Sequence, residues 1–181
     1  MADIDLFANQ LLEEAKRFLE KAVEAPDDVA KSAYLHACLL LSFCALEAHV
    51  NAIADEFSRQ TDLSAHERGI LLEREVRLDE GEFTVTTSLR MTKLEDRIEF
   101  LHMKFSGKKI DRASTSWRGQ LSAAINLRNR LTHVRDVPAI SEADVTRAVE
   151  AVISTLSALY QAIYSSKFPP AARGLTSKLS F

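Results

Sequence analysis

The run AYLHACLLLSFCALEAHV, at residues 33–50, is apolar almost all the way round a helix, so the fold must bury it on nearly every side. Beyond Leu46 the pattern becomes amphipathic, with the remaining apolar residues on one stripe. The sequence therefore predicts a long central helix that begins after Pro26-Asp27-Asp28 and ends near Arg59, with the other elements packed around it.

Five further segments are predicted to be helical, and three of them begin with the form of a capping box. Their predicted bounds are Ile4 to Ala25, Ser64 to about Glu75, Thr92 to Ser106, Ser114 or Ser116 to the break at Asp136-Val137-Pro138, and Ser141 to about Ile163. The chain has only 5 glycines and 4 prolines, which is sparse for a β-rich protein. These features predict an all-α fold, a bundle of five to six helices.

One domain is expected over residues 1–165, because 181 residues favour a single folding unit. Near residues 76–90 the turn signal Glu80-Gly81 and the strand-favouring run FTVTT predict a small hairpin or an ordered loop. The Pro-rich tail, residues 166–181, is predicted to be mobile or docked on a partner.

The chain opens MADIDLF, with acids where a secretory or transit peptide would carry Lys or Arg. Its most apolar run, Ala37 to Leu46, is too short to span a bilayer and is interrupted by Ser42. Cys38 and Cys44 are expected to be buried thiols in a reducing compartment. We therefore predict a cytoplasmic protein with no membrane partner.

Positive charge is concentrated in one segment of the chain. Between Lys104 and Arg135 there are eight basic residues and one acid, Asp111, so this segment carries +7 although the whole chain carries −3. Concentrated charge can attract a polyanion even when the net charge is negative. The alternative is a solvated surface balanced by acids that the fold brings near.

The same segment contains Arg128-Asn129-Arg130-Leu131-Thr132-His133 near the end of the fifth predicted helix. Arg128 falls about 50° from the apolar centre of that helix, so its guanidinium must be paired or face a cleft. Arg128 and His133 are about 140° apart on a regular helix, which counts against a site made by one helix alone. Two copies packed about a two-fold axis could bring an Arg and a His to a common groove.

This run resembles the R-N-x-x-x-H form of the arginine–histidine motif of HEPN domains, which are helical domains of many RNase toxins and anti-phage effectors. The phrase Ala45-Leu-Glu-Ala-His-Val-Asn51 on the central helix and the long final helix match that context, so the resemblance covers about residues 4 to 165. It implies a homodimeric, metal-independent endoribonuclease without a cofactor, in a toxin–antitoxin or phage-defence role, with an antitoxin or defence protein as a further partner.

The resemblance assigns His133 as general acid/base, Arg128 as electrostatic stabiliser and Asn129 as a positioning residue. The products would be a 2′,3′-cyclic phosphate and a 5′-hydroxyl end, and DNA should resist because it lacks the 2′-hydroxyl. Glu47 and Asn51 are expected to support the groove by holding Arg128 or His133. The candidate RNA contacts are Lys104, Lys108, Lys109, Arg112, Arg118, Arg130 and Arg135.

One departure concerns regulation: a tyrosine usually follows the histidine closely in toxins paired with a nucleotidyltransferase, but here Val134-Arg135-Asp136 follows. Two other interpretations stay open. Arg128, Asn129 and His133 could cap a helix end, where cations interact well with the dipole. The domain could also be a non-catalytic HEPN-like module that binds RNA, a nucleotide or a protein partner.

Overall fold

The computed structural model describes residues 2–111, 115–135 and 137–181. In these ranges it has six α-helices, one antiparallel hairpin and a short 3-10 helix. Their bounds are α1 Ala2–Glu24, α2 Asp28–Phe57, α3 Ala65–Leu72, β1 Arg74–Asp79, β2 Glu82–Leu89, α4 Leu94–Ser106, α5 Ser116–Thr132, α6 Glu142–Tyr164 and the 3-10 helix Pro169–Arg173. The predicted break at Asp136 falls outside the described residues.

Helix α2 is the central element, as its apolar run predicts. Leu39, Leu46 and Val50 are fully buried, and the helix packs against α1 on one side and α6 on another. The side chain of Asp27 caps it by accepting a hydrogen bond from the Ala30 N–H at 2.8 Å. By length and composition α2 could cross a membrane, but more than half of that stretch is buried inside the protein, as in the core helix of a globular fold.

The two cysteines of α2 have different environments. Cys38 is buried, and this burial raises the pKa of its thiol to about 12. Cys44 is exposed, which corrects the prediction that both thiols are buried. The six-residue separation places Cys44 on the solvent side of the helix, next to Glu47 and away from the core.

Three helix starts test the capping boxes. Ser64 and Ser141 cap α3 and α6 reciprocally with Glu67 and Asp144, as predicted. At α4 the N-cap is Lys93 and no side chain caps it, so the box predicted at Thr92 does not form. The reason lies in the preceding turn, where the Thr92 N–H donates to the Glu73 carboxylate at 3.1 Å.

The segment near residues 76–90 is a hairpin. Its strands pair in register from Val76↔Val85 to Asp79↔Glu82, and Glu80 and Gly81 both have positive φ, as a two-residue hairpin turn requires. The hairpin follows directly from Glu73, which ends α3 in the left-handed conformation, so α3 is shorter than predicted.

The C-terminal tail packs on α1 of its own chain. Its 3-10 helix lies against the buried Lys16, whose Nζ donates to the Pro170 carbonyl at 2.9 Å. The buried Glu13 accepts a hydrogen bond from the Lys178 N–H at 2.7 Å. The sequence predicts a tail that is mobile or docked on a partner, whereas the structure places it on the N-terminal helix, because α1 supplies buried charged partners for the backbone of the tail.

Candidate functional site

Helix α5 positions the candidate site because its apolar side is fixed against the bundle. Leu121, Ala124 and Leu127 are buried, and α5 lies along α6. The residues that follow Leu127 therefore continue on a rigid helix up to Thr132. His133 is the C-cap, with φ −120° and ψ 60°, so the chain leaves helical geometry at the residue of the motif that could exchange protons.

Arg128 is held by two partners on the central helix. Its Nη1 lies 3.8 Å from Glu47 Oε1, and its guanidinium carbon lies 5.1 Å from the centroid of the Phe43 ring. A cation over an aromatic face and a long ion pair are individually weak interactions. Its Nε has no hydrogen-bond partner among the described residues. Arg128 is therefore loosely paired, and it also lines a small cavity with Glu47.

His133 lies in a different cleft from Arg128. This open cleft of about 550 Å³ is lined by Asn129, Arg130, His133 and Arg135, together with Val137. The His133 side chain is exposed, while its backbone N–H donates to the Asn129 carbonyl at 2.9 Å. Within this chain the structure thus places Asn129 and His133 in one cleft, which differs from the cavity that Arg128 lines.

Glu47 and Asn51, the expected supporting residues, line the cavity on the Arg128 side. Glu47 pairs with Arg128, whereas Asn51 binds a residue that the sequence analysis missed: its Oδ1 accepts a hydrogen bond from Arg97 Nη1 at 2.9 Å. Neither side chain lines the His133 cleft in the described structure.

Arg97 is 5% exposed, and it is a buried cation near the candidate site that sequence reasoning passed over. It pairs with Glu73 at 3.0 Å and donates to the Leu71 carbonyl at 2.9 Å. Burial lowers the pKa of Arg97, and the carboxylates of Glu73 and Glu47 act against that shift. The sequence did contain an indication that Arg97 is buried, because it lies next to Ile98 on the apolar stripe of α4.

The basic segment is partly neutralised within the chain. Lys104 donates to Glu67 at 2.9 Å, and this hydrogen bond is the main reason that the pKa of Glu67 falls to about 2. Arg118 pairs with Glu99 at 2.8 Å. These two residues behave as the balanced-surface interpretation expects, so they are poor candidates for contacts with a polyanion.

The other candidate contacts are more open. Lys108, Lys109 and Arg135 are exposed, and Arg130 is exposed while donating to the Ala139 carbonyl at 3.2 Å. Arg112 lies outside the described residues. Arg130 and Arg135 share the His133 cleft, whereas Lys109 lines a separate cavity beside α4. Among its described residues, the +7 segment therefore does not form one continuous basic surface.

Among the residues that the structure describes, no three His, Cys, Asp or Glu side chains are grouped so that they could hold a metal ion. Comparisons with protein-family models, with curated proteins and with solved structures find no match for this chain. The function must therefore be argued from the geometry of the two cavities at the end of α5.

Proposed function

We propose that the protein is a cytoplasmic, metal-independent endoribonuclease of the HEPN type, acting as a homodimer in a toxin–antitoxin or phage-defence role. One observation carries the proposal. A guanidinium with unused donors and an exposed imidazole flank the same helix end, Arg128 beside the central helix and His133 in an open basic cleft. A fixed cation and a proton-exchanging imidazole are the groups that RNA transesterification requires.

In the proposed reaction His133 accepts the proton of the 2′-hydroxyl, and the 2′ oxygen forms a bond to the adjacent phosphorus. The bond from phosphorus to the 5′ oxygen breaks with its electron pair, and that oxygen receives the proton back from His133. Arg128 stabilises the charge on the phosphoryl oxygens, and Asn129 positions the phosphate. The products are a 2′,3′-cyclic phosphate and a 5′-hydroxyl.

The separation of Arg128 from His133 supports a site shared by two copies. In one chain they line different cavities, which a site shared by two copies would join. A two-fold axis perpendicular to α5, passing near Arg130, would set Arg128 of one copy opposite His133 of the second. The open His133 cleft leaves room for RNA along that seam.

The test compares wild type with His133→Ala on mixed RNAs in EDTA, followed by end-group analysis of the fragments. Wild type should release 2′,3′-cyclic phosphate ends, and His133→Ala should be at least about 100-fold slower, the usual loss for a general acid or base. His66→Ala, which removes an exposed histidine of α3, is the matched control and should cleave as wild type does. Equal rates in wild type and His133→Ala, or no cleavage of any RNA by wild type, would disprove the proposal.

One observation favours a second candidate, a non-catalytic HEPN-like module that binds RNA, a nucleotide or a protein partner. Arg128 already has a carboxylate and an aromatic ring as partners within its own chain, which a purely structural arginine also shows. Under this alternative RNA would bind without being cut, and Arg128→Ala would weaken binding while His133→Ala left it unchanged. The same set of variants therefore separates the two functions.

A further inference from the structure

A small polar cavity lies between the central helix and the start of α4, on the Arg128 side of α5. Its volume is about 270 Å³, and three cationic residues line it, Lys93, Arg97 and Arg128. Two carboxylates, Glu47 and Glu73, also line it, so the cations exceed the acids by one. The sequence analysis assigned Lys93, Arg97 and Glu73 to no site.

Backbone donors add to this positive charge. Helix α4 has 13 residues, and no side chain caps its N-terminus at Lys93. The first N–H groups of a helix have no partner within the helix, so these donors can bind a ligand. The N-terminus of a helix carries partial positive charge and favours anions. The two acids in the first turn of α4 do not line this cavity. Glu95 pairs with Arg118 at 3.5 Å, and Asp96 lines two neighbouring cavities.

Arg97 gives the cavity a rigid, buried cation, independently of the helix end. Its two terminal nitrogens are fixed by Asn51, Glu73 and the Leu71 carbonyl. Its Nε is buried and has no hydrogen-bond partner in the described part of the chain. Because its terminal nitrogens are engaged and its Nε is enclosed, Arg97 contributes positive charge to the cavity and not a free hydrogen-bond donor.

Glu47 is the loosest member of the group. It is about half exposed, at 48%, and its contact with Arg128 is 3.8 Å long. An exposed ion pair of that length contributes little, so another anion can replace the carboxylate at the guanidinium. Glu73 is held more firmly, by Arg97 at 3.0 Å and by the Thr92 N–H at 3.1 Å.

We propose that this cavity binds a phosphate group, held by Lys93, Arg128 and the first N–H groups of α4, with the buried Arg97 adding positive charge and Glu47 displaced from Arg128. The assignment of that phosphate to an RNA strand, next to the phosphate being cleaved, rests on the proposed function. In that role the cavity fixes the register of the strand, and Arg128 links the binding step to the reaction site.

The experiment titrates the ¹⁵N-labelled full chain with inorganic phosphate and follows the backbone N–H signals of Lys93 and Leu94 and the side-chain Nε–H of Arg128. These signals should shift together and saturate. Lys93→Ala, which removes one charge contact, should weaken binding about fivefold, and Glu47→Gln should tighten it severalfold because the competing carboxylate is gone. Lys167→Ala, which removes an exposed lysine that lines none of the cavities described above, is the control for general surface charge and should bind as wild type does.

Two results would overturn the site: signals at Lys93 and Leu94 that do not move, or an equal loss of affinity in Lys93→Ala and Lys167→Ala, which would indicate an adventitious ion only. An RNA oligonucleotide with a 2′-deoxy residue, which cannot be cleaved, should shift the same signals at lower concentration than phosphate or a nucleoside monophosphate. If the monophosphate binds as tightly as the oligonucleotide, the RNA assignment fails. Cleavage is measured separately, so loss of the proposed function leaves the phosphate result interpretable.

Discussion

His49 is fully buried on the central helix, and neither of its ring nitrogens has a hydrogen-bond partner among the described residues. Its ring meets the rings of Phe168 and Tyr160 edge-on, at 5.2 and 6.2 Å between centroids. Burial lowers the pKa of His49 from 6.5 to about 4. The folded protein therefore keeps this imidazole neutral at a pH at which the unfolded chain would protonate it.

We expect the free energy of unfolding to fall as the pH drops from about 6.5 to about 4, by about 3 kcal/mol in total. The folded pKa lies below the unfolded one, so across that window the unfolded chain binds the proton that the folded protein cannot. His49→Leu should lack this loss, because leucine does not titrate. Urea unfolding at several pH values measures both proteins.

The control for this prediction is His66→Gln, which removes an exposed histidine of α3 and should keep the wild-type pH dependence. An equal decline in His49→Leu and wild type would assign the acid sensitivity to other groups. At pH 7 the His49→Leu protein should be more stable by about 1 kcal/mol, since two unpaired buried nitrogens are gone.

At the residue scale, sequence patterns locate side chains better than they locate partners. The wheel position of Arg128 predicts that it is paired or beside a cleft, and it is both. Nothing in the sequence indicates that Arg97 reaches Glu73 and Asn51, because these residues come from a left-handed helix end and from the central helix. Such contacts depend on tertiary packing, which local spacing does not encode.

At the element scale, the docked tail depends on a charged pair inside α1. Glu13 accepts hydrogen bonds from Arg173 at 2.7 Å and from the Lys178 N–H at 2.7 Å, and it lies 3.4 Å from Lys16. Burial acts to raise the pKa of Glu13, but the Lys178 and Arg173 hydrogen bonds outweigh it, so the pKa lies below its ordinary value. Docking is therefore strongest while Glu13 is ionised.

Glu13→Gln should release the tail and cost about 3 kcal/mol of stability, because it leaves the buried Lys16 without its counter-ion. Trypsin should then cut faster after Arg173 and Lys178, which limited proteolysis with mass spectrometry would detect, while circular dichroism shows that the helices remain. The neighbouring Glu14→Gln is the control, because Glu14 accepts a hydrogen bond from the exposed Gln10. Unchanged cleavage in Glu13→Gln would mean that Glu13 does not hold the tail.

The starts of helices show why element boundaries were only partly predictable. Ser64 and Ser141 each find their acid three residues later, within one turn, so a local rule suffices. Thr92 has the same spacing to Glu95, but its backbone is engaged by Glu73, and the helix begins after Lys93. A long-range hydrogen bond thus overrides the local pattern. It leaves the N-terminus of α4 without a side-chain cap, at the proposed phosphate site.

At the scale of the whole molecule, the helical bundle follows from the apolar central run, whereas assembly does not follow from any local pattern. The +7 segment is divided in space, with Lys104 and Arg118 paired to acids and with Arg130 and Arg135 in the open cleft. A single chain presents Arg128 and His133 in two cavities. The proposed reaction therefore predicts that activity belongs to a pair of chains.

Mixing two inactive variants tests that prediction. Arg128→Ala keeps His133, and His133→Ala keeps Arg128, so a mixed dimer contains one complete site if each site takes its Arg and His from different chains. Random exchange of subunits at a one-to-one ratio should then restore about a quarter of the wild-type cleavage rate, because half of the dimers are mixed and each has one of its two sites. A double variant that carries both substitutions on one chain, mixed with either single variant, should restore nothing in excess of its background. If the two single variants stay inactive when mixed although native mass spectrometry shows mixed dimers, the Arg and His must act within one chain. The separation of the two cavities would then have to close by movement at His133, where α5 ends.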